Sequence, residues 1–306
     1  IHHAKGLKIF GEQGRDGVNN EMAQLHQRGC FSPVSVKDMT ASERRKAQEA
    51  LMFLTEKNDK RVKGRMVYNG KPTREWLSRE DSSSPTAALE SIFITGVIDA
   101  HEGHDVMTCD IPNAFIQADM PTTRAGEDRV VMRITGVLVD MLVQIDSELY
   151  GPFVVYEKNR KVLYVVVIKA IYGMLVAGLL WYNKFRKELE EVGFEFNLYD
   201  PCVTNRQVQG SQQTITFHVD NVKSSHKQAK VNDDFAIWLQ EMYGEHADVK
   251  CHRGDRHVYL GMVFDYSNKG RFKVDMYEYI ENMVDDFPIK LKTTDTALSP
   301  AAENLF

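Results

Sequence analysis

The chain has 306 residues, 43% of them hydrophobic, which is enough for a sizeable core and more than one ordinary compact unit, so two or three subdomains are expected. Four scattered cysteines (Cys30, Cys109, Cys202, Cys251) without a C-x-x-C pair argue against a disulfide framework or a zinc knuckle and fit a reducing intracellular compartment; no apolar run approaches the roughly 18–20 residues of a bilayer span. The formal net charge of −5 argues mildly against a strong nucleic-acid binder, yet eleven basic residues stand against five acidic ones between Glu43 and Arg79, a positive segment in an otherwise acidic chain.

Ile1 opens the chain without an initiator Met and Leu305-Phe306 closes it without an obvious stop signal, so a piece of a longer protein is expected. Thr40-Ala-Ser-Glu43 is a capping-box signature, and Ala47, Ala50, Leu51 and Leu54 at helical spacing predict a helix to about Asn58. A basic loop or hairpin follows around Lys63 to Lys71. Ser82-Ser83-Ser84-Pro85 reads as a linker with an N-cap and first-turn proline, and Leu89, Ile92, Phe93, Gly96, Val97 and Ala100 form the stripe of a helix ending near Gly103. Asp105 to Ile111 then reads as a short strand broken by Pro112-Asn113, with Asp110 at its end.

Arg124 to Tyr156 mixes an insertion-like segment with short apolar runs and gives no firm reading. Val162 to Ile168 is a β-branched run fit for a buried strand, and Ile171 to Val192 has helical periodicity. Thr214 to Val219 is another strand with Asp220-Asn221 at its tip, followed by a helix from Asn232-Asp233 through Met242. Val258 to Tyr266 and Arg271 to Met276 flank a hairpin turn at Ser267 to Gly270; a short helix starts at Tyr277 and stops before Pro288, and a polar tail runs from Leu291. This order is compatible with an α+β sheet carrying helices on one face.

Asp110 and Asp220 are far apart in sequence but stand at strand ends that could be neighbours, where paired carboxylates can hold Mg2+ with phosphate and water completing the shell. An aspartate at a strand end is ordinarily a turn or cap residue, so the surrounding residues decide. Thr108-Cys-Asp110-Ile-Pro-Asn-Ala-Phe115 resembles the first catalytic motif of copia-type (Ty1/copia) retrotransposon reverse transcriptases, and Phe217-His218-Val219-Asp220-Asn221 resembles their Tyr-Val-Asp-Asp box. Lys169-Ala-Ile-Tyr172-Gly173, continuing to Trp181-Tyr182, resembles their Lys-Ala-Leu-Tyr-Gly segment. Lys63-Gly-Arg65 is similar to the Lys-Ala-Arg fingers motif, Ser84-Pro85-Thr86 to the turn before the first palm helix, and Tyr259-Leu260-Gly261-Met262 to the primer-side segment. The resemblance runs from Glu21 to Pro300.

It implies an α+β right-hand polymerase with a ferredoxin-like palm (86–118 and 160–266), a fingers subdomain (1–85 and 119–159) and a partial thumb or tail (267–306). The implied activity is RNA-directed DNA polymerisation by two Mg2+ ions, or Mn2+ in their place, with Asp110 and Asp220 as ligands and Asn221 in the catalytic box. Lys63 and Arg65 would grip the triphosphate, Phe115 would exclude a ribose 2′-hydroxyl, Tyr172 and Gly173 would complete the nucleotide site, and Tyr259, Leu260 and Gly261 would lie on the primer side. The implied partners are an RNA or DNA template with its primer and deoxynucleoside triphosphates, with no membrane, in a cytoplasmic retroelement particle or the nucleus.

The chain departs from the family at several of these positions. Asn221 replaces the second aspartate of the box, His218 its usual Tyr, Val176 a Gln and Leu175 a Lys. Two other readings follow: a non-catalytic nucleic-acid-binding relic, and a metal-dependent nuclease, against which Phe115 and Lys63/Arg65 argue because a nuclease needs neither. His101-Glu-Gly-His104 has its histidines three apart instead of the four of a zinc-protease helix, and Gly70-Lys71-Pro72-Thr73 lacks the earlier glycine of a phosphate loop. Cys251, His252 and His257 lack a convincing fourth metal ligand, and Trp181 and Trp238 read as core.

Overall fold

The computed structural model describes residues 1–57, 59–124 and 126–287; the polar tail and the end of the expected thumb lie outside them. A long helix α1 (His3–Gln27), kinked at Gly11, was not signalled by the sequence; it leads to β1 (Phe31–Pro33). Helix α2 (Ala41–Lys46) begins at the expected capping box: the Glu43 N–H donates to the Thr40 hydroxyl and the Thr40 N–H to the Glu43 carboxylate. It does not run to Asn58. Strand β2 (Gln48–Glu56) takes over, with Gln48, Ala50, Met52 and Leu54 buried in alternation, and pairs antiparallel with β3 (Val62–Tyr68). The apolar positions there satisfy both periods, and hydrogen bonding of β2 to neighbours on both sides selects the period of two.

Helix α3 (Leu89–Glu102) ends at Gly103 with φ +68, as expected, but begins after Pro85, because the Ala88 N–H donates to the Asp200 carboxylate and holds the chain extended. Then come β4 (Asp105–Asp110), the short α4 (Ala114–Gln117), β5 (Val131–Thr135), α5 (Val137–Ile145), α6 (Ser147–Tyr150), β6 (Val155–Glu157) and β7 (Arg160–Val167). Helix α7 (Ala177–Glu191) starts later than the periodicity from Ile171 implied, since Gly173 has φ +88. The remainder is β8 (Glu195–Phe196), β9 (Val203–Val208), β10 (Ser211–His218), β11 (Asn221–His226), α8 (Ala229–Tyr243), β12 (Lys250–Arg253), β13 (Arg256–Tyr259), β14 (Met262–Asp265), β15 (Lys273–Asp275) and α9 (Tyr277–Asp285). The single strand expected over 258–266 is two, turned back on itself at Leu260 (φ +52) and Gly261 (φ +77), a type I′ pattern.

Three sheets result. The first has order β1-β7-β5-β2-β3, with β6 also on β7; the second is β12-β4-β11-β10-β9-β8; the third is β13-β14-β15. On the second sheet Cys109, Val222 and Phe217 are cross-strand partners facing α7 and α8, where Phe217 meets Phe185 edge-on at 5.0 Å. The alternate residues Thr108, Lys223 and Thr216 face the other way. There Lys223 is ion-paired with Asp99 of α3 and both are buried, Thr108 bonds His257, and the Tyr259 hydroxyl donates to the Thr216 carbonyl at 3.2 Å. The expectation of helices on one face is therefore corrected: α7 and α8 cover one side, and α3 with the third sheet covers the other. Lys223 decides this, because a buried ammonium needs its carboxylate on its own side. The fold is α+β, three sheets with helices packed against them. No helix among the described residues is long and apolar enough to cross a membrane.

Candidate active site

Strand pairing gathers the acidic residues. Asp110 ends β4 and pairs with Asn221, the first residue of β11, on one side and with Lys250 of β12 on the other. Asp220 occupies the two-residue turn between β10 and β11, and its carbonyl accepts the N–H of Ile111 at 2.9 Å, so the turn is stitched to the end of β4. In that turn Val219 has φ +58, a conformation costly for a β-branched residue. The Trp181 indole N–H donates to the Val219 carbonyl at 2.8 Å and secures it from the core side. Trp181 is 1% exposed and is core, as expected, with this added role at the turn.

The pKa of Asp110 is raised, first by partial screening from water and then by the charge of Asp220; Lys250, Lys63 and Lys57 oppose the shift. Asn221 uses its amide to donate to Asp220 Oδ1 at 3.1 Å. Among the described residues no group of three His, Cys, Asp or Glu side chains converges as a metal cluster. Two carboxylates suit one Mg2+ whose other positions go to phosphate and water; a second ion would lack the charge that Asn221 does not carry.

The first sheet supplies the opposite wall. Lys63 and Arg65 project from the exposed side of β3, whose other side is pressed against α1: a Cβ on Gly64 would stand 2.3 Å from the Gly17 carbonyl oxygen, so only glycines permit that approach. Glu21 of α1 accepts the Met66 N–H at 3.0 Å, and burial raises its pKa against the pull of Lys63 and Arg65. The Arg65 guanidinium lies 4.2 Å above the Tyr172 ring, and Phe115 meets the same ring at 4.9 Å between centroids. This Arg65–Tyr172–Phe115 column is a cation–π stack continued by an aromatic pair. Tyr172 is fixed by its backbone, since the Tyr68 N–H donates to the Tyr172 carbonyl at 2.8 Å and Gly173 lies against Tyr68. Burial pushes the Tyr172 hydroxyl pKa up, and Asp220 and Asp110 add to the shift.

A cleft of about 360 Å³ is lined by Asn20, Gln24, Lys57, Lys63 and Lys250; Asp110 and Asp220 do not line it, and it adjoins them through Lys250, the ladder partner of Asp110. Lys63 has a lowered pKa through burial and the neighbouring Arg65 and Lys57. Of the three residues expected on a primer side, Tyr259 is buried at 1% exposure and its hydroxyl reaches the carbonyls of Thr216 and Asn221, while Leu260 and Gly261 form the turn of the β13–β14 hairpin. Leu175 and Val176 line an apolar cleft of about 390 Å³ with Trp76, Leu77 and Met120, so no amide or ammonium projects there from those two positions. A larger cleft, about 660 Å³ between α3 and the β9–β10 hairpin, does not touch the carboxylates.

Sequence reasoning missed Lys250, because β12 (Lys-Cys-His-Arg) has no apolar alternation to mark a strand, and it missed Glu21 and Lys57. His104 bonds Asp99 at 3.1 Å, and His252 and His257 bond the backbone carbonyls of Arg256 and Gly254.

No protein-family model matches the sequence, and no curated protein matches it. Among solved structures, the chain is similar to a foamy viral protease-reverse transcriptase in complex with double-stranded DNA (TM-score 0.41, 11% identity, 86% of this chain and 35% of that one). It is also similar to telomerase from Candida albicans in complex with a TWJ fragment of telomeric RNA (TM-score 0.37, 7% identity, 77% of this chain and 47% of that one). The chain thus spans about a third and about half of those two proteins.

Proposed function

We propose that the chain is the polymerase region of a copia-type retroelement, an RNA-directed DNA polymerase by descent whose activity is attenuated by Asn221. The observation that carries this reading is the convergence of Asp110 and Asp220 at adjacent strand ends, together with Lys63 and Arg65 of β3 in the other sheet and the stack of Arg65 on Tyr172 and Phe115. Neither wall alone would suit nucleotidyl transfer, which needs anionic oxygens on one side and a cationic grip for a triphosphate on the other. In this reading the fingers (1–85 and 119–159) comprise α1 and the first sheet apart from β7 (Arg160–Val167), a strand of that sheet that falls inside the expected palm range; the second sheet with its helices is the palm (86–118 and 160–266), and the expected thumb starts at 267. The partners are a primed RNA or DNA template and deoxynucleoside triphosphates, in a cytoplasmic particle or the nucleus.

Asp110 and Asp220 would hold Mg2+, with Mn2+ as a substitute, which when bound supplies charge neutralisation at the phosphate. Lys63 and Arg65 bind the triphosphate oxygens. Phe115, in contact with the Tyr172 ring, would exclude a ribose 2′-hydroxyl, and the Leu260–Gly261 turn lies on the face of the sheet that carries Asp110. Asp110 must be deprotonated to act, and its raised pKa moves that requirement toward neutral pH. Loss of one unit charge about 4 Å from a cation weakens attraction by on the order of 4 kcal/mol per unit of cation charge at an effective dielectric near 20. Expressed in the transition state, that is roughly a thousandfold in rate.

A second reading, a nucleic-acid-binding relic without catalysis, is favoured by the flanking of Asp110 with neutral Asn221 and cationic Lys250. One experiment separates the two: Mg2+-dependent primer extension and template-primer binding on poly(rA)/oligo(dT), comparing the chain with Asn221→Asp and Asp110→Asn. The polymerase reading expects weak extension in the first, an increase of roughly a hundredfold or more in Asn221→Asp, and none in Asp110→Asn. Binding in all three with extension in none would establish the relic.

A further inference from the structure

Cys109 and Cys251 are direct partners in the antiparallel β4–β12 ladder, and their sulfurs approach to 2.7 Å. Cross-strand partners have Cα atoms about 4.5–5.5 Å apart, inside the range of about 4.4–6.8 Å that a disulfide spans, so the backbone need not move for the sulfurs to join. Cys109 is buried on the α7/α8 side of the sheet, whereas Cys251 is exposed on β12, the edge strand. The next pair in the same ladder is Asp110 and Lys250. The other two cysteines, Cys30 and Cys202, are buried elsewhere.

We infer that Cys109 and Cys251 are a reversible dithiol–disulfide pair, a modification site that pins the edge strand β12 and its Lys250 to β4 beside Asp110. The oxidant is hydrogen peroxide. The accessible Cys251 sulfur attacks one peroxide oxygen, the O–O bond breaks, and the departing hydroxide takes the thiol proton to leave as water, giving a sulfenic acid. The Cys109 sulfur then attacks the Cys251 sulfur; the S–O bond breaks, and the hydroxyl leaves as a second water with the Cys109 proton. Two thiols are oxidised by two electrons and one peroxide is reduced to two waters. A small dithiol reverses the reaction by exchange. Cys251 is the sulfur that meets the oxidant, because exposure selects which thiol reacts first, and Cys109 is the resolving partner held against it. The bond would close a loop spanning 142 positions between the paired residues.

The test uses the full chain treated with hydrogen peroxide, then alkylated under denaturing conditions, digested without reduction and analysed by mass spectrometry, with melting followed in parallel. The expected result is a linked pair of peptides containing Cys109 and Cys251, two hydrogens lighter than their sum and absent after dithiothreitol. The melting temperature should rise by about 5–10 °C on oxidation and return on reduction. Cys251→Ser and Cys109→Ser should each abolish both the link and the shift. Free Cys109 beside Cys251 over-oxidised to the sulfinic acid, or a link that joins Cys30 or Cys202 instead, would overturn the inference. Neither readout depends on polymerase activity, so the proposed function and the disulfide can fail separately.

Discussion

Val219 holds a β-branched side chain in backbone space that costs such residues on the order of 1–3 kcal/mol, one position before Asp220. The strain persists because the Trp181 indole and the Ile111 N–H take the carbonyls of Val219 and Asp220 in turn, leaving the turn no relaxed alternative that keeps both bonds. Asp110 is costly in a different way. Partial burial and the Asp220 charge raise its pKa above the unfolded value, so ionising it detracts from folding stability. Asp110→Asn should therefore abolish extension while raising the melting temperature, or at least not lowering it, when measured by thermal unfolding at pH 7. A clear fall would mean that the carboxylate stabilises the fold and that the site is not poised by repulsion.

At the scale of elements, the placement of Tyr172 depends on a close backbone contact between the segment before α7 and the end of β3. A Cβ on Gly173 would lie 2.3 Å from the Tyr68 carbonyl oxygen and 2.3 Å from a Val67 methyl, and the residue has φ +88. A Cβ on Gly70 would lie 2.1 Å from the Gly173 carbonyl oxygen. Gly173→Ala must then open the contact and carry unfavourable backbone strain, at a cost of about 2–4 kcal/mol in urea unfolding. The Tyr172 ring would also lose its stack on Arg65, so nucleotide affinity should fall more than template affinity. Equal losses in both would show that the segment serves the fold alone.

Across the whole molecule, the first sheet is tied together by long-range polar clasps as well as by its core. Glu43, 2% exposed, accepts two bonds from the Arg129 guanidinium at 2.7 and 2.9 Å and one from the Arg129 N–H, and Arg129 also reaches the Asp38 carbonyl. The Arg129 side chain holds the Glu43 carboxyl at about 2, below its ordinary 4.5. A depressed folded pKa contributes stability that is present above the unfolded value and lost as pH falls toward the folded one. Urea unfolding should thus show stability declining between pH 4.5 and 2 in the wild-type chain. Glu43→Gln should cost about 3 kcal/mol at pH 7 and flatten that part of the profile, and an unchanged profile would assign acid sensitivity to other carboxylates.

The sequence by itself determined the elements whose cause is local. The Thr40–Glu43 box, the Gly103 stop, β4, β7 and β10 follow from capping chemistry, a left-handed glycine and β-branched runs, and each is found where its residues place it. Asp110, Asp220 and Phe115 were legible as candidates because their neighbouring residues form continuous motifs, and Lys63 and Arg65 through the resemblance of Lys63-Gly-Arg65 to the Lys-Ala-Arg fingers motif. Tertiary structure decided what depends on partners distant in the chain. Whether 47–54 is helix or strand rests on pairing with β3 and β5, since its apolar residues satisfy both periods. The strand character of the polar β12, the facing of Cys109 with Cys251 and the placing of Lys250 beside Asp110 arise only when β12 closes the sheet edge. Cross-strand contacts are set by register, and register joins residues whose separation along the chain leaves no trace in either segment alone.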